Sequence, residues 1–241
     1  DADWYVSRYG FRGTPAEALL HYWCLGDRIG LRPHAWFDPR LFRLRYALPF
    51  WGVTALEIFM RNWQRYPLAH PHFELQWYLD RYPDVRLSGQ NPLVHYVHFG
   101  MREGRQPNQY FIPSWYLEHN SDVSVSGLPA ALHFCLYGAN ELRNPGPDFD
   151  SAGYASRHAG MSEAGYALDP LAHYLITGRA QGADPGPSCL YAQELFETRF
   201  RERQQDGASR LDVVIPVYRG LEETRVCIGS VIESESFENM R

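Results

Sequence analysis

Apolar positions in this chain fall into short helical stripes, each introduced by a polar residue and a proline. Leu93, Tyr96 and Val97 lie on one such stripe, and Leu171, Tyr174 and Leu175 on another. Asn91-Pro92 and Asp169-Pro170 stand directly before them. Each pair offers an N-cap acceptor and then a proline at the first helical position, where its missing N–H costs nothing. Asp38-Pro39 has the same form, and Thr14-Pro15-Ala16-Glu17 adds a capping-box glutamate. Tyr82-Pro83 ends a first helix, because proline disfavours helical geometry in the residue before it, and Ser88-Gly89-Gln90 supplies a turn. The pattern predicts helical hairpins, each with one apolar face.

The hairpins recur. His21-Tyr22 with Gly26, His95-Tyr96 with Gly100, His133-Phe134 with Gly138 and His173-Tyr174 with Gly178 all read H-(Y/F)-x-x-x-G. His95 and His133 are 38 residues apart, as are Trp77-Tyr78-Leu79 and Trp115-Tyr116-Leu117. A period of this length marks tandem supersecondary units. Residues 1–187 divide into about five copies: 1–36, which lacks its opening; 37–72, which lacks H-Y-x-x-x-G and reads as degenerate; and three that begin at Phe73, Phe111 and Phe149. The expected fold is mainly α, an α-solenoid-like stack of hairpins in which each copy buries its face against its neighbours. Residues Tyr46 to Met60 read as a buried helix of the degenerate copy.

Aromatic residues make up 15% of the chain, and most of the excess recurs at fixed positions, so Trp77, Trp115 and their tyrosines are assigned to the core. The glycines at 100, 138 and 178 suit left-handed C-caps. The motif histidines cannot share an ion, since packed helices lie roughly 8–10 Å apart and zinc ligands sit about 2 Å from the metal. A hydrogen bond across the hairpin is expected of each instead. His70-Pro71-His72 and the His95/His98 pair read as isolated. Asp148-Phe149-Asp150 matches D-x-D only through the repeat boundary, because Asp150 occupies the N-cap position of Asp38.

A net charge of −5 over 241 residues, with no basic tract, argues against a nucleic-acid partner. The Tyr46 to Met60 stretch holds Pro49, Gly52 and Glu57 and falls short of the roughly 20 apolar residues that span a bilayer. Cys24, Cys135, Cys189 and Cys227 show no C-x-x-C spacing and read as reduced thiols. The expected location is the cytoplasm, with any membrane association through partners. The absence of an initiator Met and a repeat already under way at Trp4-Tyr5 suggest that residues precede Asp1.

After a helical connector and linker over 188–210 the pattern changes. Leu211 to Tyr218 is a short β-branched run stopped by Pro216 and reads as a buried parallel strand, and Glu222 to Ile232 reads as a helix with Ile228, Val231 and Ile232 on one face. Neither G-x-G-x-x-G nor G-K-(S/T) follows the strand. The run V-V-I-P-V-Y-R-G-L-E-E-T-R-x-C-I-x-S-V resembles the start of a family-2-type glycosyltransferase domain over 211 to about 235. Arg219 departs from the asparagine common after the tyrosine. The repeats, with W-Y-L-x-x-Y-P-D-V and N-P-L-x-H-Y-x-x-x-G-x-x-E-G-R-x-P, resemble tandem units found beside glycosyltransferase domains in bacterial surface-polysaccharide proteins.

These resemblances imply that 211–241 is the truncated start of an α/β nucleotide-sugar transferase domain, with Pro216, Val217 and Tyr218 against the nucleotide of a sugar donor. They imply no catalytic residue before Arg241. A divalent ion, Mg or Mn, is implied for the complete enzyme and no cofactor or metal for this chain alone. The implied partners are a nucleotide-sugar donor and a glycan acceptor, with a further protein partner for the repeats. The alternative reading is a non-enzymatic repeat scaffold that binds protein or carbohydrate.

Overall fold

The computed structural model describes residues 1–186 apart from Ala159 and Ala164, all of them within one compact unit, Asp1–Tyr191. The connector expected over 188–210 and the segment 211–241, with Pro216, Val217 and Tyr218, lie outside the described residues. The described part is mainly helical, and none of its helices is long and apolar enough to cross a membrane.

The helices follow the capping signals. In the first copy α1 (Ala2–Tyr9) precedes α2 (Pro15–His21), which begins with the capping box of Thr14 and Glu17. The second holds α3 (Pro39–Arg45), capped by the Asp38 carboxylate, and α4 (Ala55–Asn62). The third and fourth each hold three helices where two were expected: α5 (Leu75–Arg81), α6 (Pro83–Ser88) and α7 (Pro92–His95), then α8 (Pro113–His119), α9 (Ser121–Ser126) and α10 (Ala130–His133). Pro83 ends α5 as anticipated but starts another helix at once, a position that suits its fixed φ. Gly89, at φ 66°, then closes α6. The fifth copy has α11 (Ser151–Arg157) and α12 (Pro170–His173), separated by a hairpin of two-residue strands, β1 (Ser162–Glu163) and β2 (Tyr166–Ala167), which the helical-hairpin pattern does not include.

The H-(Y/F)-x-x-x-G motif has one local structure in all four copies. The helix ends at the histidine and widens into a π-helical turn, at Tyr22–Gly26, Tyr96–Gly100, Phe134–Gly138 and Tyr174–Gly178. A tyrosine from the copy's first helix reaches the histidine Nδ1: Tyr5 to His21 at 2.8 Å, Tyr78 to His95 at 3.1 Å, Tyr116 to His133 at 3.1 Å and Tyr154 to His173 at 2.9 Å. Burial, and next to it Arg105 and Arg143, hold His95 and His133 below the usual histidine range. Burial raises Tyr78 and Tyr116, so the phenol donates and the neutral imidazole accepts.

The same hydroxyl explains the glycine. A Cβ added to Gly100 would lie 2.5 Å from Tyr78 Oη, and the fit is tighter still at Gly26, Gly138 and Gly178. These glycines are therefore not left-handed C-caps. Their backbone is helical, and the left-handed residue comes four positions later, at Gly30 (φ 79°), Gly104 (φ 69°) and Gly182 (φ 71°), with Leu142 (φ 56°) in the fourth copy. The second copy supplies the control. Phe42 stands at the tyrosine position and has no hydroxyl; Ile58 replaces the histidine, Trp63 the glycine, and the turn at Trp63–Arg65 is 3₁₀.

That covariation makes Gly138→Ala testable. It should cost about 1–3 kcal/mol by overpacking, and Tyr116→Phe about 1–3 kcal/mol by leaving His133 unpaired. Together they should cost clearly less than the sum, since removing the hydroxyl makes room for the methyl. Denaturant midpoints of the four proteins measure the coupling, and strict additivity would refute the account.

Aromatic triangles form the core. Phe73, Tyr78 and Tyr96 meet at 5.1–5.6 Å between ring centroids, Phe111, Tyr116 and Phe134 at 5.1–5.6 Å, and Phe149, Tyr154 and Tyr174 at 5.4–5.8 Å. Phe37, Phe42 and Phe59 make the same triangle in the copy read as degenerate. Trp77 and Trp115, assigned to the core from sequence, are only half-buried, and the tyrosines after them fill the interior. In a helix adjacent residues point about 100° apart, so both cannot face one side.

The stretch from Tyr46 to Met60 is not one buried helix. Pro49 and Gly52 (φ 92°) hold it open between α3 and α4, and Trp51 is 74% exposed. Nor does each copy touch only its neighbours. Arg32 donates to Tyr166 at 2.9 Å, Tyr166 donates to Asp38, and Arg179 donates to Glu74, so the first three copies all contact the fifth.

Candidate functional site

The residue before the phenylalanine that opens a copy points into the space the copies share at Phe37, Phe73 and Phe111, while Asp148, before Phe149, is exposed. Trp36 packs on Tyr96 at 5.0 Å, His72 on Phe134 at 5.3 Å and Tyr110 on Tyr174 at 5.1 Å. The second residue of each π-turn also faces the core in the last three copies, as Val97, Cys135 and Leu175. Most of these positions carry apolar or aromatic side chains. Among those that face the core, the exceptions His72 and Cys135 fall together.

His70, His72 and Cys135 bring one ligand atom each to within 4.8 Å of one another. The segment before α5 carries the histidines, and the π-turn after α10 carries the thiol. His70 Nε2 is 3.4 Å from Cys135 Sγ, which also lies 3.6 Å from the Ala35 carbonyl. Both histidines are buried and Cys135 is partly buried. Asp169, the N-cap of α12, meets His72 Nε2 with both carboxylate oxygens, at 2.9 and 3.0 Å, while accepting from the Ala172 amide at 3.0 Å. His72 Nδ1 is buried without a partner. The sequence reading of His70-Pro71-His72 as isolated is thus corrected: the fold adds a thiol and a carboxylate from two later copies.

The electrostatics separate the two histidines. Burial, then His72 and Arg32, pushes His70 well below the usual range. For His72 burial also opposes charge, but the Asp169 carboxylate outweighs it and lifts the imidazole to about 10. Burial would raise Asp169, yet the His72 charge leaves it below its ordinary value. Arg32 pairs with Asp38 at 2.6 Å nearby.

His70 also has a structural duty. Its Nδ1 accepts from the His72 amide at 3.2 Å, as His34 Nδ1 does from Trp36 at 3.2 Å and Asn108 Oδ1 does from Tyr110 at 2.8 Å. Ligation through Nε2 would place the ring proton on Nδ1 and lose that bond. The loss is about 1 kcal/mol, small beside the roughly 10 kcal/mol that structural zinc brings to small folds.

Other candidates resolve simply. The motif histidines are the hydrogen-bond partners expected of them. Asp150 caps α11 through the Gly153 amide at 3.1 Å, as its repeat position implied. Cys24 and Cys135 are free thiols. His34 and His98 line an apolar groove of about 460 Å³ with Trp4, Val97 and Leu132. The departures at His72 and Cys135 were visible in the aligned repeats. Their proximity was not, because residues 63 positions apart in sequence meet only through the winding of the copies. Comparison with protein-family models, curated proteins and solved structures finds no match for the chain.

Proposed function

We propose that this chain is the amino-terminal part of a glycosyltransferase, with residues 1–187 as a tandem-repeat interaction region and 211–241 as the first strand and helix of the donor-binding domain. The transferase half of the reading rests on the sequence from Leu211 to about Glu235 alone. The interaction half is carried by one observation, the apolar surface of the first copy. Trp23 occupies the position of Val97, Cys135 and Leu175, which pack against the shared core, yet it is 51% exposed, with Leu19, Leu20, Leu25 and Ile29 open beside it. Exposed apolar side chains gathered in one short segment are the kind of surface that partners cover. The repeat tyrosines and histidines, meanwhile, are engaged with each other and act as structure.

On this reading the sugar donor needs a carboxylate pair, a divalent ion and a base beyond Arg241, and strand 211–218 alone cannot wall a pocket. Calorimetry with uridine diphosphate sugars and manganese should show no binding to the 241-residue chain and micromolar binding to a version extended through the following domain. Binding by the short chain would misplace the site. No binding by the extended protein would favour the second reading, a non-enzymatic scaffold.

A further inference from the structure

We propose that His70 Nε2, His72 Nδ1 and Cys135 Sγ hold one thiophilic divalent ion, zinc by chemistry, with Asp169 as the positioning residue behind His72. Three observations converge on it. The first is proximity, since one ring nitrogen of each histidine and the Cys135 sulfur lie within 4.8 Å of one another. Bonds of about 2.0–2.3 Å place tetrahedral ligand atoms roughly 3.3–3.8 Å apart. The His70 to Cys135 separation of 3.4 Å already meets that spacing, and the widest pair needs to close by about 1 Å.

The second is the unpartnered His72 Nδ1. A polar atom buried with no hydrogen bond is rare in a folded protein and calls for a partner. Asp169 occupies Nε2 and keeps the proton there, so Nδ1 is the atom His72 has to offer. A carboxylate that grips the far nitrogen of an imidazole is the usual support of a histidine ligand, fixing its tautomer and its angle.

The third is position. Two sister copies place Trp36 and Tyr110 where His72 stands, a third has the exposed Asp148 there, and Val97 and Leu175 stand where Cys135 does. Two exchanges of bulky apolar residues for a nitrogen and a sulfur ligand meet at one point of the core. Nitrogen and thiolate donors together select zinc over magnesium, calcium or manganese. On binding, Cys135 gives its thiol proton and the His72 imidazolium its Nδ1 proton to solvent, Nε2 of His72 keeps its proton toward Asp169, and the sulfur and both nitrogens each donate a lone pair to the metal. Water completes the fourth position.

Cobalt titration of the metal-free full chain tests this, since tetrahedral Co(II) with a thiolate ligand gives intense visible bands and a sulfur-to-metal charge-transfer band. One equivalent should saturate the bands, and zinc should abolish them. The combined Cys24→Ser, Cys189→Ser and Cys227→Ser variant should keep the charge-transfer band, and Cys135→Ser should lose it while remaining folded. Asp169→Asn should weaken affinity about 10–100-fold and leave the band positions in place. The proposal is overturned if the metal-free chain gives no charge-transfer band, or if the band survives Cys135→Ser.

Discussion

Replacing Asp27 with alanine should cost about 3–5 kcal/mol, the usual result of leaving one charge of a buried pair uncompensated. Asp27 and Arg43 each expose 1% of their side chains and are joined by a salt bridge. The carboxylate also accepts from Tyr22 Oη at 3.1 Å and the Ala55 amide at 2.9 Å, and Arg43 donates to the carbonyls of Val53, at 2.9 Å, and Pro49. One side chain therefore ties the π-turn after α2 to α3 and to the start of α4. Urea melts should show the loss in the midpoint. The exposed pair Asp80 and Arg86 serves as a control, where Asp80→Ala should change stability by less than about 1 kcal/mol. Pairing Asp27→Leu with Arg43→Met should recover much of the loss, because hydrophobic replacement of both partners removes the stranded charge. A single variant as stable as the wild type would show that the pair carries no weight.

Tyr116→Ala should be nearly as damaging, at about 3–5 kcal/mol. The ring is fully buried, touches Phe111 and Phe134, and carries the hydroxyl that His133 accepts. Trp115→Ala, one residue earlier, should cost about 1–2 kcal/mol, chiefly the half-buried ring and its stack on His119 at 3.8 Å. Thermal or denaturant melts of the two variants rank them. Equal losses, or a larger loss at Trp115, would return the tryptophan to the core.

The sequence carried the local structure well because its signals are local. Thr14, Asp38, Asn91, Asp150 and Asp169 cap helices as their side chains and neighbouring residues imply, and the chain is mainly helical as the pattern predicts. It misled where one letter admits two physical reasons. A recurring glycine near a helix end suggests a left-handed cap, but at Gly100 and Gly138 the reason is a tyrosine hydroxyl from another helix, which the spacing alone does not display. The second copy looked degenerate for the same reason: Phe42 removes the hydroxyl and with it the need for both other motif residues. The cluster of His70, His72, Cys135 and Asp169 was hidden because its members come from distant copies, and a repeat pattern records what each copy shares while setting aside the positions at which one copy differs.

The contacts that Tyr166 makes with Arg32 and Asp38 bear on how this region folds. An open array can nucleate anywhere, grow copy by copy and lose a terminal copy with little consequence to the rest. Here residues more than 120 positions apart in sequence must meet before the last copy is fully bound, which raises contact order and slows the final step. The same contacts remove fraying ends, so denaturation should run as one cooperative transition in which the first and fifth copies melt together. They also limit change by duplication: inserting one more 38-residue copy would separate Tyr166 from the partners it now reaches, and the region could lengthen only by giving up that contact.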